Sequence, residues 1–209
     1  MFRRTFVASI GSLGLLAVRP AFAKATATAK PIPSIPLALF IGTRVAEDGS
    51  RAAVVSDEFV SAQLQQSNEL FSGFGLAFHE AERGALTSAP DLETREDRNA
   101  LAANNVTSRC NVFFVGNLRD VDDPKLFRMG VMWRNLRNLK QKCVIVASSA
   151  RETTLAHELG HFLGNGHTTV KNNLMSYERD GGTVLLDEAQ GAKSQKTART
   201  LFATKELGS

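Results

Sequence analysis

Residues 157–167 read HELGHFLGNGH. The chain has four histidines, and three of them, His157, His161 and His167, fall within this stretch. His157 and His161 stand four apart, so on a helix both rings leave the same face one turn apart. Gly164 follows where a left-handed residue can end the helix. Asn165 and Gly166 allow a tight reversal, which lets His167 turn back toward the first two. Three neutral imidazole nitrogens with a fourth position open are the ligand set of a catalytic zinc site. Glu158 leaves the helix on a different vector from His157 and is placed to accept a proton from water at the metal. Upstream, Ser149-Ala150-Arg151-Glu152 has the S-x-x-E spacing of a capping box and predicts a helix beginning near Ser149.

The surrounding sequence predicts the frame for this segment. Residues 37–45 (LALFIGTRV), a segment starting at Gly75-Leu76-Ala77-Phe78, residues 112–115 and residues 144–147 read as strands, buried where the apolar run is continuous. Residues 129–133 (MGVMW) are short and flanked by Arg128 and Arg134, which suits a sheet edge. Ser56 is a candidate N-cap for a helix carrying Phe59, Val60, Leu64, Leu70 and Phe71, ended by Gly73 and Gly75. Residues 91–105 read as a polar helical or loop excursion. Asp187 opens a final helix. This order of elements implies an α/β sandwich around a mixed sheet. RDVDDP, residues 119–124, matches no EF-hand spacing and reads as a solvated turn. His79 has no partner at ligand spacing and reads as an ordinary residue.

Several function classes are disfavoured. Residues 1–23 have Arg3-Arg4, a short apolar segment and the A-x-A site Ala21-Phe22-Ala23, which together read as an export signal. The arginine pair followed by Thr5-Phe6 resembles the twin-arginine signal of bacteria. Residues 24–36 read as a Pro/Ala/Thr linker and residues 37–209 as one domain. Without Arg3, Arg4 and Arg19, 22 basic side chains face 21 acidic ones, so the high isoelectric point gives no support for nucleic-acid binding. No apolar stretch after the N-terminus is long enough for a transmembrane helix. Cys110 and Cys143 each open a strand-like run. If those strands are parallel neighbours a disulfide is geometrically allowed; the other reading is two buried free thiols. No CxxC occurs, so thiol redox chemistry is poorly supported.

The central stretch is similar to the zinc signature of the metzincin clan of metallopeptidases, H-E-x-x-H-x-x-G-x-x-H. Met175, in Asn173-Leu174-Met175-Ser176-Tyr177, matches the clan's methionine turn beneath the metal. The short connection from His167 resembles matrixins, whereas Met-Ser-Tyr resembles astacins and serralysins. The resemblance implies a metzincin-like mixed five-stranded sheet, an active-site helix and a small C-terminal subdomain ending in a helix. It implies one catalytic Zn2+ held by His157, His161 and His167, with Glu158 as general base and Tyr177 reaching the zinc or the oxyanion. It also implies an edge strand, with Gly130, Val131 and Met132, that pairs antiparallel with a peptide or protein substrate. The expectation is an exported, periplasmic or secreted zinc endopeptidase acting as a monomer, with no propeptide after the signal and no nucleic-acid partner. Two alternatives are a non-proteolytic exported zinc-binding module and a zinc hydrolase of a non-protein amide such as cell-wall peptide.

Overall fold

In the computed structural model, which describes residues 30–139 and 141–208, the continuous apolar runs form the middle of a sheet. The first half of the chain contributes β1 (Ile35–Ile41), β2 (Thr43–Val45), β3 (Arg51–Ala53), α1 (Asp57–Ser72), β4 (Phe78–Ala85) and α2 (Arg95–Ala100). The second half contributes β5 (Cys110–Val115), β6 (Gly130–Arg134), β7 (Lys142–Ala147), α3 (Thr154–Phe162) and α4 (Glu188–Ala203). The main sheet has five strands in the order β4-β1-β5-β7-β6. All neighbours are parallel except β6, which runs antiparallel to β7. The expected mixed five-stranded α/β fold is therefore the observed one, with MGVMW on its edge.

Side-chain alternation along β5 and β7 divides the interior into two layers. Val112, Phe114, Val144 and Val146 point to the layer that also holds Val60 and Phe71 of α1 and Leu155 and Leu159 of α3. Phe113, Val115, Ile145 and Ala147 point the other way, onto Leu92, Leu101 and Leu118. Both faces of the central strands are thus covered, which is why these strands read as unbroken apolar runs rather than alternating ones.

Four local expectations need correction. The strand expected over residues 37–45 is two pieces: β1 ends at Ile41, and β2 belongs to a separate hairpin with β3. The break falls at Gly42, where a Cβ would lie 2.9 Å from the Pro90 Cβ and 3.2 Å from the Phe114 carbonyl oxygen. The second strand begins at Phe78 rather than Gly75, because Gly75 occupies the left-handed region (φ 63°) in the turn that closes α1. The turn at residues 119–124 is not simply solvated. Asp120 is buried and accepts hydrogen bonds from the backbone N–H groups of Asp122 and Asp123 and an ion pair from Arg128. Those amides and that guanidinium hold its carboxyl down to about 2.

The fourth correction concerns the cysteines. β5 and β7 are parallel neighbours, but their register pairs Val112 with Val144 and leaves the two cysteines one position out of step. Successive residues of a strand face opposite ways, so Cys110 joins the layer under α1 and α3 while Cys143 joins the opposite one. Both are free thiols. Burial raises both above the usual thiol range, Cys143 to about 12, and so disfavours the reactive thiolate. Thiol titration of protein unfolded without reductant is expected to find two reactive thiols per chain. Finding none would contradict the register.

Candidate metal centre

α3 is nine residues long and carries two of the three histidines. It begins at Thr154, not near Ser149, and Thr153 provides no side-chain cap. The expected box at Ser149 and Glu152 gives way to a cap from a distant helix. Gln63 of α1, almost fully buried, accepts the Leu155 N–H at 2.9 Å and donates to the Arg151 carbonyl at 2.7 Å. One side chain thereby serves a free N–H of the helix start and the carbonyl of the incoming turn. The other end of α3 follows the sequence expectation. Gly164 is left-handed (φ 92°), with its N–H on the His161 carbonyl and the Asn165 N–H on the Gly160 carbonyl, the paired bonds of a Schellman stop.

That stop brings His167 back over α3. The three Nε2 atoms lie 3.0, 3.1 and 3.3 Å from one another. On the far side of the rings, His157 Nδ1 lies 2.7 Å from the Leu174 carbonyl and His161 Nδ1 lies 2.8 Å from the Asn165 carbonyl. A carbonyl oxygen only accepts, so in both rings Nδ1 carries the hydrogen and a neutral ring leaves Nε2 bare. Burial lowers the pKa of all three imidazoles, His157 to about 4, and favours neutral rings. Lone pairs therefore converge on one point with no hydrogen from His157 or His161 to bridge them, an arrangement that calls for a cation. Tetrahedral zinc with bonds of ~2.0–2.1 Å would separate its nitrogens by ~3.3–3.4 Å, close to the spacing found. Among the described residues this trio is the group of His, Cys, Asp or Glu side chains arranged to share a metal ion.

Met175 lies fully buried under this point, with its sulfur against Gly160. Its turn is shaped by Asn173, whose Oδ1 accepts the Met175 N–H at 2.8 Å and whose Nδ2 donates to Gln190 of α4. α4 also secures the loop between the histidines, through Asn165 Nδ2 donating to Ser194 Oγ at 2.8 Å. The Tyr177 ring centroid lies 4.5 Å from that of His167, and the residue is 69% exposed at the mouth of the site.

Glu158 is 6% exposed and faces β6. Burial pushes its carboxyl up to about 7, against a hydrogen bond from the Met132 backbone N–H. A Cβ on Gly130 would come within 2.7 Å of Thr154 Cγ2 and 2.9 Å of Glu158 Cγ, so the close approach of edge strand and helix depends on that glycine. The structure thus brings together Glu158, Tyr177, the three histidines, Met175 and the Gly130–Met132 strand. It places Cys110 and Cys143 in the sheet core, away from this grouping. His79 lies apart, with Nδ1 hydrogen-bonded to Ser34 Oγ. Three arginines that sequence reading did not assign to the site, Arg128, Arg151 and Arg179, line a cavity of about 480 Å³ shared with His157 and Glu158. They come from three separated segments, so no spacing rule links them; only the flanking position of Arg128 beside the edge strand was visible.

No protein-family model matches the chain, and no curated protein matches it in sequence. Among solved structures, metalloproteinase-II from Bacteroides fragilis is similar, with a TM-score of 0.53 and 15% identity over 80% of this chain and 54% of that one. The chain therefore spans about half the length of that structure, and at this identity the likeness is one of fold. The protein has a metalloproteinase-like α/β fold carrying a three-histidine cluster able to hold a metal ion.

Gly160→Val puts atoms into the Met175 sulfur and is expected to cost about 1–3 kcal/mol of stability, the range for overpacking. It is also expected to weaken zinc uptake, read by titration against a chromogenic chelator. Gly166→Ala, whose added Cβ meets nothing within 4 Å, is the matched control and is expected to stay near wild type. Equal effects of the two would remove Met175 as the support of the site.

Proposed function

We propose that the chain is a zinc-dependent endopeptidase of the metzincin type. The observation that supports it most is the convergence of three Nε2 atoms, two of them bared by backbone acceptors, beside a buried carboxyl group. His157, His161 and His167 hold the ion. Zinc bound there supplies Lewis acidity to the scissile carbonyl and makes water acidic enough to attack near neutral pH. Glu158 takes the proton of the attacking water and delivers it to the leaving amine. The Tyr177 hydroxyl, at the mouth of the site, donates to the developing oxyanion. Met175 is a floor for the ligands and not itself a ligand.

The substrate lies along β6. An edge strand offers unpaired backbone groups, and a peptide adds to it antiparallel, alongside Gly130, Val131 and Met132. Such a peptide runs from the Trp133 end of the strand toward the Gly130 end. Its part C-terminal to the cut therefore passes over the arginine-lined cavity, which opens beside Gly130.

The reading of residues 1–23 as an export signal, 24–36 as a linker and 37–209 as the catalytic domain belongs to the same proposal. The signal lies outside the described residues, and β1 begins at Ile35, within the reach assigned to the linker. Among the described residues, no helix is long and apolar enough to cross a membrane. Export to the periplasm or beyond fits a hydrolase that acts on proteins as a monomer.

Glu158→Ala is expected to retain stoichiometric zinc while turnover of denatured casein falls by ~100-fold or more, the low end for a general base. Removal of zinc by a chelator should abolish activity, and added zinc should restore it. Wild-type activity in Glu158→Ala would refute the mechanism. Hydrolysis of peptidoglycan but not casein would move the substrate to a cell-wall amide. Zinc bound with neither cleaved would leave a binding module.

A further inference from the structure

The cavity beside Glu158 has a charge that the hydrolytic chemistry does not require. Its wall carries Arg128, Arg151 and Arg179, and Glu158 is the acidic side chain that faces into it. Arg128 is spoken for, since its guanidinium pairs with Asp120. Arg151 and Arg179 have no carboxylate within ion-pair distance among the described residues. Arg179 is nevertheless fixed in place. Its Nη1 donates to the Asn173 carbonyl at 2.9 Å and to the Glu178 carbonyl at 3.1 Å, and its Nη2 to the Leu174 carbonyl at 3.2 Å. The acids next to it in sequence do not neutralise it. Glu178 and Asp180 lie outside the cavity wall, and Asp180 Oδ1 accepts from Asn172 and from the Gly182 N–H. The start of α3, with Thr153 at its N-cap position and Thr154 as its first residue, also opens here and adds the positive end of a helix dipole.

The opposite end of the cleft is different. There Arg95 and Arg98 line the wall together with Asp120 and Asp122, and Arg95 pairs with Asp122. Arg98 has no carboxylate within ion-pair distance either, but it is buried, donates to the Arg119 carbonyl and lies over the Trp133 ring. Of the arginines lining the two ends, those open to solvent and without an ion-pair partner among the described residues, Arg151 and Arg179, thus lie at the Gly130 end. Two like charges held close in a partly enclosed space repel each other, and a bound anion relieves that repulsion.

We propose that this cavity binds a carboxylate of the substrate on the leaving-amine side of the cut, which makes the enzyme selective for it. This rests on the peptidase reading above and on the strand direction given there. The carboxylate has two sources: the side chain of an Asp or Glu that follows the scissile bond, or the free C-terminus of a chain that ends just beyond it. Arg151 reaches the ligand from the α3 side, and Arg179 from the loop after the methionine turn.

Quenched fluorescent peptides test it. One arm compares Glu, Gln and Lys after the cut in peptides with amidated ends; the other compares a free with an amidated terminus one residue beyond the cut, with Gln in place. A preference of roughly tenfold or more in kcat/KM for the carboxylate in either arm is expected, the scale of one charge-assisted hydrogen bond. The arm that shows it names the source. The preference should shrink as salt rises from about 0.05 to about 0.5 M, because the site is open enough to be screened. Arg151→Glu should lower the ratio of Glu to Lys peptides several-fold, the scale of reversing one partly screened charge. Arg151 is the residue to change because Arg179 also braces the Leu174 carbonyl that His157 uses. Chelator-sensitive cleavage with no carboxylate preference in either arm overturns the inference and leaves the peptidase reading intact. The converse is read without turnover, as anisotropy of labelled Glu and Gln peptides on Glu158→Ala protein. Tighter binding of the Glu peptide there, with no cleavage by wild type, supports the cavity assignment and sinks the peptidase reading.

Discussion

Two backbone carbonyls, those of Leu174 and Asn165, decide what the histidine cluster can be. By accepting from Nδ1 of His157 and His161 they fix both tautomers and turn bare Nε2 atoms toward one point. Neither carbonyl belongs to α3. Leu174 comes from the turn that contains Met175, and Asn165 from the loop released by the left-handed Gly164. The site therefore exists only when three segments are held in register. Gln63 ties the start of α3 to α1, Ser194 and Gln190 of α4 tie down the two loops, and Gly160 lets Met175 sit directly beneath. Much of the hydrogen bonding that sustains the cluster is buried, where a lost partner costs most.

The sheet supplies the second half of the arrangement. β6 is the antiparallel strand of the five-stranded sheet and lies at its edge, so its outer side is not used in the ladder. Gly130 lets the strand approach α3 closely enough for the Met132 amide to reach Glu158. A buried carboxyl, an available strand and a cluster of nitrogens able to hold a metal ion are thus set side by side by one helix–strand contact. The arginines on one flank then give the cleft a direction: at the Trp133 end they are paired or buried against Trp133, and at the Gly130 end Arg151 and Arg179 are open to the cavity without an ion-pair partner among the described residues.

Much of this was legible in the sequence because it depends on short-range rules. The four-residue histidine spacing, the glycine after Leu163, the Ser56 and Asp187 caps and the edge position of MGVMW all rest on periodicity or capping chemistry within a few residues. What escaped was set across the fold. The start of α3 was displaced because Gln63, far away in sequence, does the capping that Ser149 and Glu152 were expected to do. The choice between a bridge and two buried thiols at Cys110 and Cys143 turned on a one-residue register offset, which strand identity alone does not reveal. The hairpin of β2 and β3 was hidden because Gly42 sits inside a run that reads as one strand. Arg151 and Arg179 meet in one cavity only because the turn before α3 and the loop after Met175 fold to the same side.

X-ray absorption at the zinc edge on protein purified without added metal addresses the metal centre most directly. One zinc per chain, with three histidine nitrogens at ~2.0–2.1 Å and no sulfur ligand, is the expected result. A protein free of first-row metal with its hydrolytic activity intact would contradict it, and so would zinc bound at ~2.3 Å through cysteine or methionine sulfur.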